Sequence, residues 1–157
     1  MRKRLTKDLR EVAGDGEQNW IDLENMAQVE LTSEDTSYPV EGALGASSGP
    51  GWRAAHGGRQ TIRLLFDQPQ KINKIQLLFH EKEHARTQEF LLSWSSDHGQ
   101  SYREIVRQQY NFSPPAVTDE LEDYKVDLTG VTDLKLIIVP EISGGDLRAS
   151  LARLSVG

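Results

Sequence analysis

His80, Glu81 and His84 stand in the segment HEKEH, which spells the metalloprotease pattern H-E-x-x-H. In that chemistry two imidazoles hold zinc and the glutamate takes a proton from the metal-bound water. The spacing works only on a helix, where residues i and i+4 share one face. Here the preceding residues KINKIQLLF alternate in polarity, so His80 extends a strand, and ARTQEF leads into the next one. Extended chain would hold the two imidazoles about 13 Å apart along the backbone. With no cysteine in the chain, a third ligand would have to come from His56 or His98. The segment reads as a solvated loop. Neither a metal nor another cofactor is expected.

Covalent chemistry has no better foothold elsewhere. The chain contains no nucleophile elbow, P-loop or dinucleotide fingerprint. The paired carboxylates Glu120 and Glu122, or Asp119 and Asp123, lie at the start of a strand and read as solvated charge. The chain therefore reads as non-catalytic. Its remaining polar and aromatic candidates suit non-covalent recognition. Trp52, followed by Arg53 and His56, sits among glycines in GPGWRAAHGG. It is either a plug beneath the loops or a face on which a sugar ring stacks. Arg86 either pairs at the surface with Glu83 or Glu89, or offers a fork of donors to hydroxyls and carboxylates. Tyr110, Asn111 and Phe112 precede Pro114-Pro115. An aromatic beside an amide suits a saccharide contact, and it equally suits a clip holding the loop. Substitution of such loop-tip groups is expected to weaken binding without changing stability. Asp146 and Arg148 flank the last long loop, where SGGD reads as a turn. Trp94 and Trp20 read as core.

The elements that must position these residues are strands. Apolar residues alternate at Ile62, Leu64 and Phe66; Ile75, Leu77 and Phe79; Phe90, Leu92 and Trp94; Tyr124, Val126 and Leu128; and Leu134, Leu136 and Ile138. With segments near 27–32, 101–109 and 148–156 this makes about eight strands and very little helix. The expected class is all-β, an antiparallel β-sandwich jelly roll. Residues 1–20 form an appendage, helical over 1–14 (Leu5, Leu9, Val12) until Gly14-Asp15-Gly16, and residues 21–157 form the domain. Connections alternate in length. Those at 33–59, 80–87, 110–119 and 140–147 are long, and those at 67–71, 96–100 and 129–132 are short. Antiparallel strands swap ends, so the long loops should gather at one end, where binding residues are usually carried.

Composition narrows the partners. The 157 residues are 37% hydrophobic and 27% charged, with a net charge of -6. That balance argues against sequence-independent nucleic-acid binding, which needs a basic face. No run approaches the roughly 20 apolar residues of a membrane helix. The basic start, MRKRLTKDLREVAG, lacks the apolar stretch of a secretory signal, so a cytoplasmic location is expected.

The stretch FLLSWSSDHGQSYREI, residues 90–105, combines an apolar strand, a serine-rich turn with Asp97 and Gly99, and an aromatic beyond it. It resembles the discoidin family, also called coagulation factor V/VIII type C and galactose-binding-domain-like. TSEDTSYPVEGALGASSGPGWRAA (32–55) is similar to that family's first loop, QTIRLLFDQPQKINKIQLLF (60–79) to its paired strands and ASLARLSV (149–156) to its last strand. The resemblance covers roughly residues 27–156. Arg153 replaces the family's acidic residue in the last strand, and the first loop lacks D-G-x-x-x-T-x-W, so the structural calcium of relatives is not expected. The resemblance implies a non-catalytic module that binds carbohydrate through its long-loop end. A protein–protein adaptor of the same fold is the alternative. The ligand-contacting candidates are Trp52, Arg53, His56, Arg86, Tyr110, Asn111 and Phe112.

Overall fold

The computed structural model describes residues 19–45 and 49–157. The helix expected over 1–14 lies outside them. Alternating segments form strands β1 (Ala27–Leu31), β2 (Trp52–Gly57), β3 (Gln60–His80), β4 (Arg86–Ser95), β5 (Arg103–Phe112), β6 (Asp119–Val139), β7 (Arg148–Leu151) and β8 (Arg153–Val156). Two single-turn helices, α1 (Leu23–Met26) and α2 (Glu41–Leu44), were not legible, because four residues are too few to show a helical period. They contribute Leu23, Ala43 and Leu44 to the core.

The segments 62–66 and 75–79 are not separate strands joined by a tight turn. Both belong to β3, 21 residues long, which pairs antiparallel along its length with the equally long β6. The expected turns at 67–71 and 129–132 are where this ribbon bends. Register shifts accumulate between Leu65 and Lys74, and Gly130 adopts a φ of 71°. Bulges of this kind bend a strand pair without ending it. Leu147 shows the result. It lies beside Gly58 and Arg59 at the start of β3 and beside His80 to His84 at its end, so the ribbon has folded back on itself.

The fold-back makes the two layers of an antiparallel β-sandwich. The first half of β3 carries β1 on one side, and the second half of β6 carries β4 and then β5 on the other. The second half of β3 carries β8. The stretch 149–156, expected as one strand, divides at Ala152, whose N–H donates to the Leu78 carbonyl at 2.9 Å. Its first part, β7, pairs with β2 in a separate two-stranded ladder. Between the layers lie Ile62, Leu64, Ile75, Leu77, Phe79, Phe90, Leu92, Leu136 and Ile138, all buried. Trp94 is only half-buried: it packs on the margin of the core beside the turn, with the Arg103 guanidinium 5.8 Å from its ring centroid. Trp20 is 38% exposed and not core.

The serine-rich turn has a physical account. Ser95 Oγ accepts the N–H groups of Asp97 (3.1 Å) and Gly99 (2.9 Å) and donates to Asp97 Oδ1 at 2.6 Å. Asp97 also accepts from the Ser101 hydroxyl and N–H. His98 and Gly99 both take positive φ, 60° and 82°. The N–H of His98 donates to Thr132 Oγ1 at 2.9 Å, tying this turn to the bend of β6. A Cβ at Gly99 would sit 3.0 Å from Arg63 Nη2 and 3.1 Å from Tyr102 Oη. Tyr102 does not enter the core. Its hydroxyl accepts from Arg63 Nε at 3.1 Å and lies 3.4 Å from Asp133, and Lys135 Nζ is 3.9 Å from its ring centroid.

Two outcomes follow from this packing. Leu92→Ala should lower unfolding stability by about 2–5 kcal/mol in urea titrations, because Leu92 is fully buried between the layers. Hydrogen bonds from Ser101 and Ser95 hold the Asp97 carboxyl at about 2. A depressed folded value stabilises above the unfolded value of about 3.9 and is lost as pH falls toward 2. Between pH 4 and 2, Asp97→Asn should therefore lose less thermal stability than the parent protein.

Candidate functional site

Long connections do gather at one end. The N–H of Glu81 donates to the Thr118 carbonyl (2.8 Å), that of Ile142 to Thr87 (3.0 Å) and that of Gly58 to Leu147 (3.2 Å). At this end lies a cleft of about 470 Å³. One wall comes from Pro50 and Arg53, the second from His80 to His84 with Arg86, and the third from Asp146 to Arg148 with Ser150.

Its floor is an ion pair. Arg86 Nη2 meets Glu81 Oε1, and the two side chains are 5% and 9% exposed. Arg86 Nη1 donates to the Arg148 carbonyl at 3.0 Å, which ties β4 to β7. The other Glu81 oxygen accepts the N–H groups of Glu83 and His84, both at 2.9 Å. HEKEH is thus a turn wound around a buried carboxylate, not a helix. His80 Nδ1 lies 2.5 Å from Asp119, whereas His84 Nε2 lies 3.9 Å from Glu83, so the two rings serve different partners. Among the described residues no three metal-ligating side chains converge. Burial pushes the Arg86 guanidinium below its ordinary value. Glu81 pulls it back, and Arg53 adds to the depression. Among the described residues the Nε of Arg86 has no hydrogen-bond partner.

Of the candidates read from the sequence, only Arg53 and Arg86 line the cleft. The surface pairing of Arg86 with Glu83 or Glu89, one of its two readings, is replaced by a buried one with Glu81. Trp52 is 1% exposed, and its Nε1 donates to the Ser33 carbonyl at 3.0 Å. Alternation in β2 puts Trp52 and Ala54 inward and Arg53 outward, so the indole offers no stacking face. Tyr110 and Phe112 are corrected for the same reason: β5 runs to residue 112, and both rings point into the sandwich. Their ring centroids are 5.3 Å apart, and Tyr110 stands 5.7 Å from Phe79 and takes a 2.7 Å hydrogen bond from Gln88. Asn111 is exposed and accepts from Thr87 Oγ1 at 2.6 Å, away from the cleft lining. His56, at the end of β2, is exposed but outside the lining. Lys82, Glu83, His84 and Ser150 line the cleft and were not among the candidates. The first three sat inside the metal-like motif, where their charge density was the signal.

No family model and no curated protein matches this chain. Solved structures do. One is the module CBM32-5 from Clostridium perfringens, in complex with GalNAc-beta-1,3-galactose. It is 23% identical, with a TM-score of 0.60, over 88% of this chain and 99% of that one. The chain has the galactose-binding-domain-like fold of these modules. A chitosan-binding module from Paenibacillus sp. IK-5 is 17% identical with a TM-score of 0.64, over 88% of this chain and 98% of that one. The family 32 module of AlyQ, in complex with 4,5-unsaturated mannuronic acid, is 18% identical with a TM-score of 0.55, over 85% and 95%.

Because Arg86 is a floor group and not a loop-tip group, its removal strands a buried carboxylate. Arg86→Ala should cost about 3–5 kcal/mol of unfolding stability in denaturant titrations. This reverses the neutral effect expected from the sequence. Phe112→Ala belongs to the same corrected class, since its ring is core.

Proposed function

We propose that this protein is a non-catalytic carbohydrate-binding module whose ligand occupies the long-loop cleft. One observation carries the reading: a polar cleft, built on strand ends, at the end where the long connections meet. Its wall groups match saccharide hydroxyls. Glu83 and Asp146 accept from them, Ser150 both donates and accepts, and Arg53 and Arg148 donate. The fold, shared with modules in complex with sugars, supports the same reading as an analogy. Both oxygens of Glu81 are committed, one to Arg86 and the other to two backbone N–H groups.

An open cleft with water competing for each hydroxyl should bind weakly, in the millimolar to micromolar range. Titration with a panel of mono- and oligosaccharides, followed by amide shifts, is the test. Perturbations should cluster at 50–53, 80–86 and 146–150. Shifts confined to 96–101 and 129–132 would put the site at the opposite end and refute the proposal. Failure of every saccharide, with specific capture of a protein through the cleft, would replace it with the adaptor reading.

A further inference from the structure

The charge of the cleft is unlike that of the chain. Its lining carries four permanent cations, Arg53, Lys82, Arg86 and Arg148, against three carboxylates, Glu81, Glu83 and Asp146. The whole chain is at -6. Glu81 is used up in the floor. Among the described residues Arg148 has one ion-pair partner, Asp35 at 3.3 Å, and remains 46% exposed. Arg53 and Lys82 have no ion pair among the described residues. Arg53 is held with its guanidinium carbon 4.4 Å from the Tyr38 ring centroid. It stands near enough to Arg86 to oppose the charge there. An anion entering the cleft would relieve that repulsion.

The lining also limits what the anion can be. Among the described residues no Phe, Tyr or Trp side chain lines the cleft, and the rings it presents are the imidazoles of His80 and His84. Trp52, Tyr110 and Phe112 belong to the core, and Arg53 covers a face of Tyr38. A neutral sugar therefore finds no large aromatic face on which to stack, only two small imidazoles, and must rely mainly on hydrogen bonds. Charge-assisted hydrogen bonds are roughly twice as strong as neutral ones. A bare phosphate or sulfate would use the cations but would meet the Glu83 and Asp146 carboxylates. A ligand with both hydroxyls and one carboxylate satisfies every wall. The shared fold does not choose, since it accommodates a neutral disaccharide, chitosan and an unsaturated uronic acid in different modules.

We propose that the cleft selects acidic saccharides, with a uronate carboxylate held by Arg53, Lys82 and Arg148 and the ring hydroxyls turned toward Glu83 and Asp146. This rests on the saccharide reading above and deepens it. The test is calorimetric titration with uronate trisaccharides of the galacturonate, glucuronate and mannuronate series, beside their methyl esters. The ester keeps every hydroxyl and removes the charge. At least one free acid should bind about tenfold or more tighter than its ester at low salt, with the gap narrowing in 1 M NaCl. Lys82→Gln should lower the acid-to-ester ratio, and being exposed should leave the fold intact. Equal affinity for acid and ester would overturn the acidic class while leaving the saccharide reading standing. Inorganic phosphate displacing the uronate at equal concentration would show a simple anion site and overturn it too. No binding by any acid, ester or neutral sugar would sink both.

Discussion

The structure depends on one bent ladder. β3 and β6 stay hydrogen-bonded through their bend, so each spans both layers of the sandwich. The bend must bring apolar faces together on either side. Ile62, Leu64 and Phe66 before it and Ile75, Leu77 and Phe79 after it both reach the interior because the register shifts fall between them. A ribbon that bends also delivers its two ends to one place. Gln60 and His80, like Asp119 and Val139, finish at the same end of the molecule, and the loops attached to them have nowhere else to go. The cleft end is thus a consequence of how one strand pair bends.

At that end the Arg86–Glu81 pair joins stability to recognition. A buried ion pair costs desolvation, and it persists where further hydrogen bonds hold both groups. Here the Arg148 carbonyl holds the guanidinium, and the N–H groups of Glu83 and His84 hold the carboxylate. Two walls of the cleft are therefore fastened to one floor. The side chains above it start from fixed backbone, which lowers the ordering cost of binding. The same pair leaves the floor without spare negative charge, so the wall groups Arg53, Lys82, Glu83, Asp146 and Arg148 set the potential of the cleft.

Aromatic residues show how the interior and the site compete. Phe79, Phe90, Tyr110 and Phe112 form one cluster, with neighbouring centroids 5.3–6.1 Å apart. Each ring spent on the core is unavailable to a ligand. Stacking would have been the natural means of holding a sugar in this cleft. Ionic groups line the cleft in its place.

Period-two alternation is a local property, so strand positions, the core residues Phe90, Leu92, Leu136 and Ile138, and the all-β class could be read from sequence. So could the grouping of the long connections, because it needs only alternating ends. Whether Asp67 to Gln70 turned back or bent forward could not, since a bulged ladder and a hairpin share the same Pro, Gly and polar residues. Nor could the end of β5 be placed. Tyr110 to Phe112 looks like the start of a loop until β4 pairs Arg86 with Phe112, which carries the alternation three residues further and turns both rings inward. Arg86 could be picked out as functional, but its partner depended on the turn at 81–84 closing around Glu81. Local pattern determines which residues are apolar together. Tertiary pairing decides which face of a strand end remains open to a ligand, because burial there depends on a neighbour distant in sequence.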